Sequence, residues 1–252
     1  TQARRQPGSN FKPFYYAGAL ENGLTAASIY NDAPMVMDGG ELEEAYRPRN
    51  SSDIFQGNIR LREALYRSIN LVSIRVILDY GPENAVNYVS RFGFDTTDFP
   101  RDLQLAFGGG TIALTPLEVV TGYATFANGG FKVEPYLLRE LNSINSDVTF
   151  KADPVVACLN NCAGLNQAER VVEPRVAHIM DSMLSDAIRK GTGTKAINRH
   201  TNSNSNVKII RLLSSGILKQ LLRVWKYRAN IRRDYSSAAG CSARASEAAA
   251  MS

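Results

Sequence analysis

Apolar positions recur at helical spacing in five stretches of this chain and at strand spacing in one region. Phe11, Phe14, Tyr15, Ala17, Gly18 and Leu20 leave a semi-apolar face that stops at Gly23, which predicts a short helix with a glycine stop. From Leu61 the pattern is helical again. Leu61, Ala64 and Leu65 share one face, and Val72, Ile74, Val76, Ile77 and Leu78 follow before Gly81-Pro82 ends the run. Glu83 to Phe92 reads as a helix ended by Gly93, and Pro116 to Ala127 as one ended by Asn128-Gly129-Gly130. Pro174 opens the last helix, with Val176, Ile179, Met180, Met183, Leu184 and Ile188 on one face and Lys190-Gly191 at its end. Between these, residues 131–141 and 147–151 flank the polar stretch 142–146 and predict a hairpin. Residues 25–58 are turn-rich and weakly periodic, and read as a long ordered loop because aromatic and apolar residues are scattered through them.

Composition divides the chain in two. Its 252 residues, 44% of them hydrophobic, can fill the core of one large domain or two small ones. Residues 1–200 carry 20 Lys and Arg against 22 Asp and Glu, net −2, whereas residues 201–252 carry 9 against 2, net +7. The basic character belongs to the tail, so nucleic-acid binding is not expected of the main body. The chain opens at Thr1 in a polar basic stretch, and no apolar run reaches the ~18 residues a spanning helix needs. A membrane anchor is expected only in a longer parent chain. Cys158 and Cys162 stand four apart in a polar loop, and Cys241 lies alone in the tail. A zinc site needs further ligands, and His178 and His200 are isolated from that pair and from each other. A local disulfide and two free thiols both fit the spacing.

Two short constellations carry chemistry. In Ser9-Asn10-Phe11-Lys12, a serine three residues before a lysine at a helix start brings both side chains to one face, and a lysine kept neutral can take the hydroxyl proton and activate Ser9. The alternative for Ser9 is a plain helix N-cap. The second is Ser68-Ile69-Asn70, where a hydroxyl can relay a proton and an amide can bond both a lysine and a substrate carbonyl. Each has a second copy, Ser205-Asn-Val-Lys208 in the tail and Ser143-Ile144-Asn145 in the hairpin turn, where such residues suit a turn. A Ser-His-Asp triad finds no context for either histidine. Gly108–Gly110 lacks the Lys-Ser/Thr of a phosphate loop and is assigned to backbone geometry.

The string from Arg5 to Phe14, Arg-Gln-Pro-Gly-Ser-Asn-Phe-Lys-Pro-Phe, resembles the nucleophile segment of class A penicillin-binding proteins. Tyr46-Arg-Pro-Arg-Asn50, Ile59-Arg-Leu-Arg-Glu-Ala-Leu65, Leu105-Ala-Phe-Gly108, Thr115-Pro-Leu-Glu118 and Tyr123-Ala-Thr-Phe-Ala-Asn-Gly-Gly130 are similar to that family in order and spacing, up to about residue 199. The trio Ser-x-x-Lys, Ser-Asp-Asn-like and Lys-Thr-Gly is the known signature of this enzyme group. The resemblance implies an α+β fold of the serine β-lactamase and penicillin-binding transpeptidase type. It implies that Ser9 is the acylated nucleophile, Lys12 its base, Ser68 a proton relay, and Asn70 the holder of the lysine and the substrate amide. The implied substrates are peptidoglycan stem peptides ending in D-Ala-D-Ala, and β-lactams would acylate the same serine. No cofactor or metal is implied, and the implied location is the periplasmic face of the bacterial inner membrane.

The tail departs from the family. Its Lys-Thr-Gly-Thr strand should follow some ten to fifteen residues after Gly191-Thr192-Gly193, and no such motif occurs there. The expected organisation is a partial transpeptidase domain over residues 1–200, mostly α with one β-hairpin and little of the central sheet, then an unmatched basic tail over 201–252. That tail fits either a basic amphipathic helix for a membrane surface or out-of-frame translation. The lost strand would supply half of an oxyanion hole, worth about 3 kcal/mol. Residues 1–252 alone are therefore expected to transpeptidate undetectably and acylate feebly; the alternative is a non-catalytic remnant that acts through binding.

Overall fold

The computed structural model describes residues 2–37, 46–142, 148–160 and 162–194. The tail, His200, Cys241, the Ser205–Lys208 copy and the Ser143–Asn145 copy all lie outside them. A 3-10 turn, Gly8–Phe11, leads directly into α1, Lys12–Glu21, with Pro13 in its first turn. Phe11, Phe14, Tyr15 and Tyr16 are fully buried, and so is nearly every other residue of α1. A helix apolar on all sides belongs at the centre of a domain. Here α1 packs against α3 (Asn70–Tyr80), α4 (Pro82–Ser90) and α6 (Pro174–Arg189). The crossing with α4 is close: a Cβ on Gly18 would stand 2.7 Å from the Tyr88 ring.

Rings pack around Phe14. Phe92, Phe94 and Tyr123 meet it edge-on at 5.0, 5.0 and 5.2 Å between centroids, and Phe126 stacks on it at 5.8 Å. Such pairs add about 0.5–1.5 kcal/mol each beyond area burial. Phe126 and Tyr123 come from α5, Pro116–Ala127, which begins with a capping box: Thr115 Oγ1 accepts from Glu118 N at 3.2 Å and Glu118 Oε2 accepts from Thr115 N at 2.6 Å. On α6 the apolar face of Val176, Met180, Met183 and Leu184 is buried, and Asp186 beside it receives Arg62 at 3.0 Å. Arg62 belongs to α2, Leu61–Arg67.

Two features differ from the sequence reading. The apolar run from Leu61 is two helices, α2 and α3, parted at Ser68, whose φ of 60° is left-handed. Within the turn-rich stretch, β1 (Ile29–Asp32) pairs antiparallel with β2 (Gly57–Arg60), Tyr30 opposite Ile59. The predicted hairpin is a second two-stranded sheet, β3 (Glu140–Asn142) with β4 (Val148–Lys151). Cys158 and Cys162 form a disulfide with Cα atoms 5.9 Å apart, which decides between the two readings of that pair. No helix among the described residues is long and apolar enough to cross a membrane.

Candidate active site

The break at Ser68 builds the site. Its left-handed backbone ends α2, and extended Ile69 then starts α3, so Ser68 and Asn70 turn toward the first residue of α1. Lys12 Nζ donates to Asn70 Oδ1 at 2.9 Å and to Ser68 O at 3.0 Å, and lies 3.3 Å from Ser68 Oγ. Lys12 is 1% exposed. No ion pair reaches it among the described residues. Burial without a counter-ion disfavours the ammonium, and this desolvation brings its pKa down from the usual lysine value to about 7. A neutral amine has two N–H groups. The two shorter contacts use both, and the lone pair remains to accept a hydroxyl proton.

Ser9 is exposed, in the 3-10 turn immediately before α1. Its side chain caps neither that turn nor α1, so the N-cap role is not the one it plays here. The Lys12 backbone N–H donates to Ser9 O, but no side-chain hydrogen bond between Ser9 and Lys12 is among those of the described residues; the amine is held by Ser68 and Asn70 instead. Two contacts fix the turn that carries Ser9. Gly8 N donates to Gly108 O at 3.1 Å, and Tyr123 Oη donates to Asn10 O at 3.0 Å. Gly108 is glycine for a geometric reason: its φ is +59° and an added Cβ would lie 2.2 Å from Gly8 O. His178 sits on α6, lining a hollow with Phe126, Phe131 and Leu159, and no hydrogen bond joins it to Ser9 or Ser68.

Sequence reasoning gave no role to the groups behind Asn70. Asn70 Nδ2 donates to Arg49 O at 3.2 Å, which turns its Oδ1 toward Lys12. The backbone N–H groups of Asn70 and Leu71 both donate to Asn50 Oδ1, at 3.0 and 3.2 Å. A buried asparagine far upstream that caps a helix through its amide leaves no local trace, since N-cap patterns are sought just before the helix.

An exposed serine, a buried lysine with no counter-ion among the described residues and a Ser-Ile-Asn turn holding that lysine are the kinds of group that acyl transfer of the Ser-Lys type uses. The chain matches the family described as penicillin binding protein transpeptidase domain over residues 1–207, and it belongs to that family. It is 39% identical to penicillin-binding protein 1A of Pseudomonas aeruginosa, covering 78% of this chain and 28% of the relative. It is 40% identical to penicillin-binding protein 1A of Neisseria flavescens, covering 78% and 24%. The chain thus spans about a quarter of these curated relatives. The crystal structure of penicillin-binding protein 1A from Haemophilus influenzae matches with a TM-score of 0.72 at 32% identity, over 79% of this chain and 33% of that one. The imipenem acyl-enzyme complex of penicillin-binding protein A from M. tuberculosis matches with a TM-score of 0.65 at 22% identity, over 78% and 47%, and shows the shared fold.

Proposed function

We propose that this chain carries the acyl-transfer residues of a serine D,D-transpeptidase of peptidoglycan synthesis. Ser9 Oγ attacks the carbonyl between the two terminal D-Ala residues of a stem peptide, and its proton passes to neutral Lys12. The tetrahedral intermediate collapses, the Ser68 hydroxyl relays a proton to the leaving D-Ala amine, and Asn70 holds Lys12 and the substrate amide. An amine on a neighbouring strand then attacks the Ser9 ester, releasing the serine. β-Lactams enter by the same attack and stay attached. The scheme requires no cofactor. The domain proposed is residues 1–200, with 201–252 apart from it, and the chemistry belongs at the periplasmic face of the bacterial inner membrane.

One observation carries this reading: a lysine amine, buried and close to neutral at physiological pH, is hydrogen-bonded to Ser68 and Asn70 one turn after Ser9. The test is labelling by a fluorescent penicillin in a domain where the family's Lys-Thr-Gly strand follows residue 199. Label is expected on Ser9 and none on the Ser9→Ala variant. Undiminished label on that variant, mapped by mass spectrometry to Ser205 or elsewhere, overturns the assignment.

The disulfide is not part of this chemistry. Cys158 and Cys162 lie in the segment between β4 and α6, and no hydrogen bond ties them to Ser9, Lys12, Ser68 or Asn70. Replacing both by serine is expected to leave the acylation rate within about twofold, since changes at distant sites with no shared partner stay independent. A loss above tenfold would show that this loop shapes the site.

A further inference from the structure

We propose that Asn50 is a positioning residue for the lysine base, acting through the start of α3, and that Asp32 fixes the sense of its amide. The inference rests on the acyl-transfer reading of Lys12, Ser68 and Asn70. Asn50 is 4% exposed and Asp32 is fully buried, and the hydrogen bonds of Lys12 Nζ go to Ser68 and Asn70 rather than to either of them. Asn50 Nδ2 donates to Asp32 Oδ1 at 2.7 Å and to Ile54 O at 3.0 Å. Asp32 Oδ2 accepts the backbone N–H of Gln56 at 2.9 Å. With its NH2 group committed to two acceptors, Asn50 presents Oδ1 to the first N–H groups of α3, which have no partner within the helix. A flipped amide would bring NH2 against N–H and against the Asp32 carboxyl oxygen would place oxygen, so only one sense satisfies all the groups.

The same segment sets the neighbouring amide. Arg49 O receives Asn70 Nδ2, and Asn70 Oδ1 is thereby aimed at Lys12 Nζ. The chain of contacts therefore runs from Asp32 on β1 through Asn50 to the N–H groups of Asn70 and Leu71, and from Asn70 to the lysine. The strand is braced in turn by Arg75 of α3, whose Nε donates to Asn31 O at 2.8 Å and Nη2 to Ala33 O at 3.1 Å. Among the described residues, the charged side chains bonded at this junction include Asp32 from β1, Arg75 from α3, Lys12 from α1 and Arg67 from α2, whose Nη1 donates to Gln56 Oε1 at 3.2 Å. Loss of the Asn50 acceptor frees the start of α3, swings Ser68 and Asn70 from the lysine and lets water reach Nζ. Water favours the ammonium, so the base is lost at neutral pH.

Polarity provides the test. Asn50→Asp faces the Asp32 carboxyl with a second carboxyl and removes the donor between them. Adding Asp32→Asn restores that bond in reverse, the new amide donating to residue 50 while its oxygen still accepts from Gln56 N, and leaves only Ile54 O without its donor. The experiment follows Lys12 in residues 1–252 through the pH titration of its 13Cε resonance, assigned by its absence in Lys12→Met. In Asn50→Ala the midpoint is expected to rise by one unit or more, in Asn50→Asp likewise, and in the Asp32→Asn, Asn50→Asp pair to return to within about 0.3 units of the parent. A folded Asn50→Ala chain, judged by circular dichroism, with an unmoved midpoint overturns the proposal. If Asn50→Ala and Asn50→Asp do not fold, the paired variant decides alone: a parental midpoint supports the proposal, and failure to fold or a raised midpoint overturns it. The midpoint does not depend on acylation, so penicillin labelling that survives Ser9→Ala would overturn the transpeptidase reading separately.

Discussion

In a domain where the family's Lys-Thr-Gly strand follows residue 199, Lys12→Met is expected to slow β-lactam acylation of Ser9 by about a thousandfold, the middle of the roughly 10²–10⁴ range for loss of a general base. In the parent, only the neutral amine accepts the serine proton. With a pKa of about 7, the acylation rate should rise about tenfold per pH unit below 7 and level off above it. The methionine variant should lose that limb. The parent's stability should also rise with pH, but in a higher window than its activity. Lys12 is depressed in the folded state from an ordinary value of 10.5, so the unfolded chain binds more protons between pH 7 and about 10.5. The parent therefore gains stability as pH rises through that window, and below pH 7 it bears the whole cost, on the order of 5 kcal/mol for a shift of this size. Methionine removes the cost but leaves Ser68 O and Asn70 Oδ1 without their donor, a loss of about 1–3 kcal/mol each. The sign of the net change at one pH is thus a contest of similar terms, whereas its slope is not. Urea midpoints at pH 6, 8 and 10 should show the stability of Lys12→Met relative to the parent falling steadily with pH. A difference that stays flat across this window, or an unslowed acylation rate, would contradict the role of Lys12.

That lysine also marks where sequence reading stops. The spacing of Ser9 and Lys12 and the Ser68-Ile69-Asn70 string were visible as candidate chemistry, and family resemblance joined them. Nothing in four residues says that an ammonium loses its water. That follows from Phe11, Tyr15 and Tyr16 being buried around it and from the helix break at Ser68, neither of which is local to Lys12. The break was hidden because a non-glycine residue adopts the left-handed conformation there, so the Leu61–Leu78 pattern continued without a stop signal. The helices closed by Gly23, Gly93 and Asn128-Gly129, by contrast, carried their ends in the sequence, and α5 and α6 begin at the prolines that announced them. The sheet of β1 and β2 was missed for a different reason. Its strands are four residues each, with 24 residues between them, and alternation over four positions is too short to stand out from turns. Asp32 and Asn50 lie in that stretch, which is why the support of the site was less legible than the site itself.

Gly108→Ala is expected to be the most destabilising single-methyl change near the nucleophile, and Gly109→Ala next to it nearly silent. Gly108 holds a φ of +59° at the end of the 3-10 turn Leu103–Phe107, where an L side chain is strained by about 1–2 kcal/mol. An added Cβ would stand 2.2 Å from Gly8 O and 2.7 Å from Phe11 Cβ. Backbone must yield, because neither contact is with the free end of a flexible chain, and such overpacking adds roughly 1–3 kcal/mol. The part that yields is the Gly8–Ser9 turn, tied to Gly108 O through Gly8 N. The change should therefore cost about 3 kcal/mol in urea unfolding and slow acylation of Ser9 at least tenfold in chains that remain folded, since a displacement of ~1 Å is enough to spoil attack geometry. At Gly109 the backbone is not left-handed and the nearest atom to a new Cβ is Gln104 O at 3.9 Å, an ordinary contact. Alanine there should shift stability by less than about 1 kcal/mol in either direction. Equal effects at the two positions would mean that the approach of Gly108 to the serine turn is not what holds Ser9 in place; a large effect confined to Gly108, on stability and acylation together, would identify that approach as the link between the fold and the nucleophile.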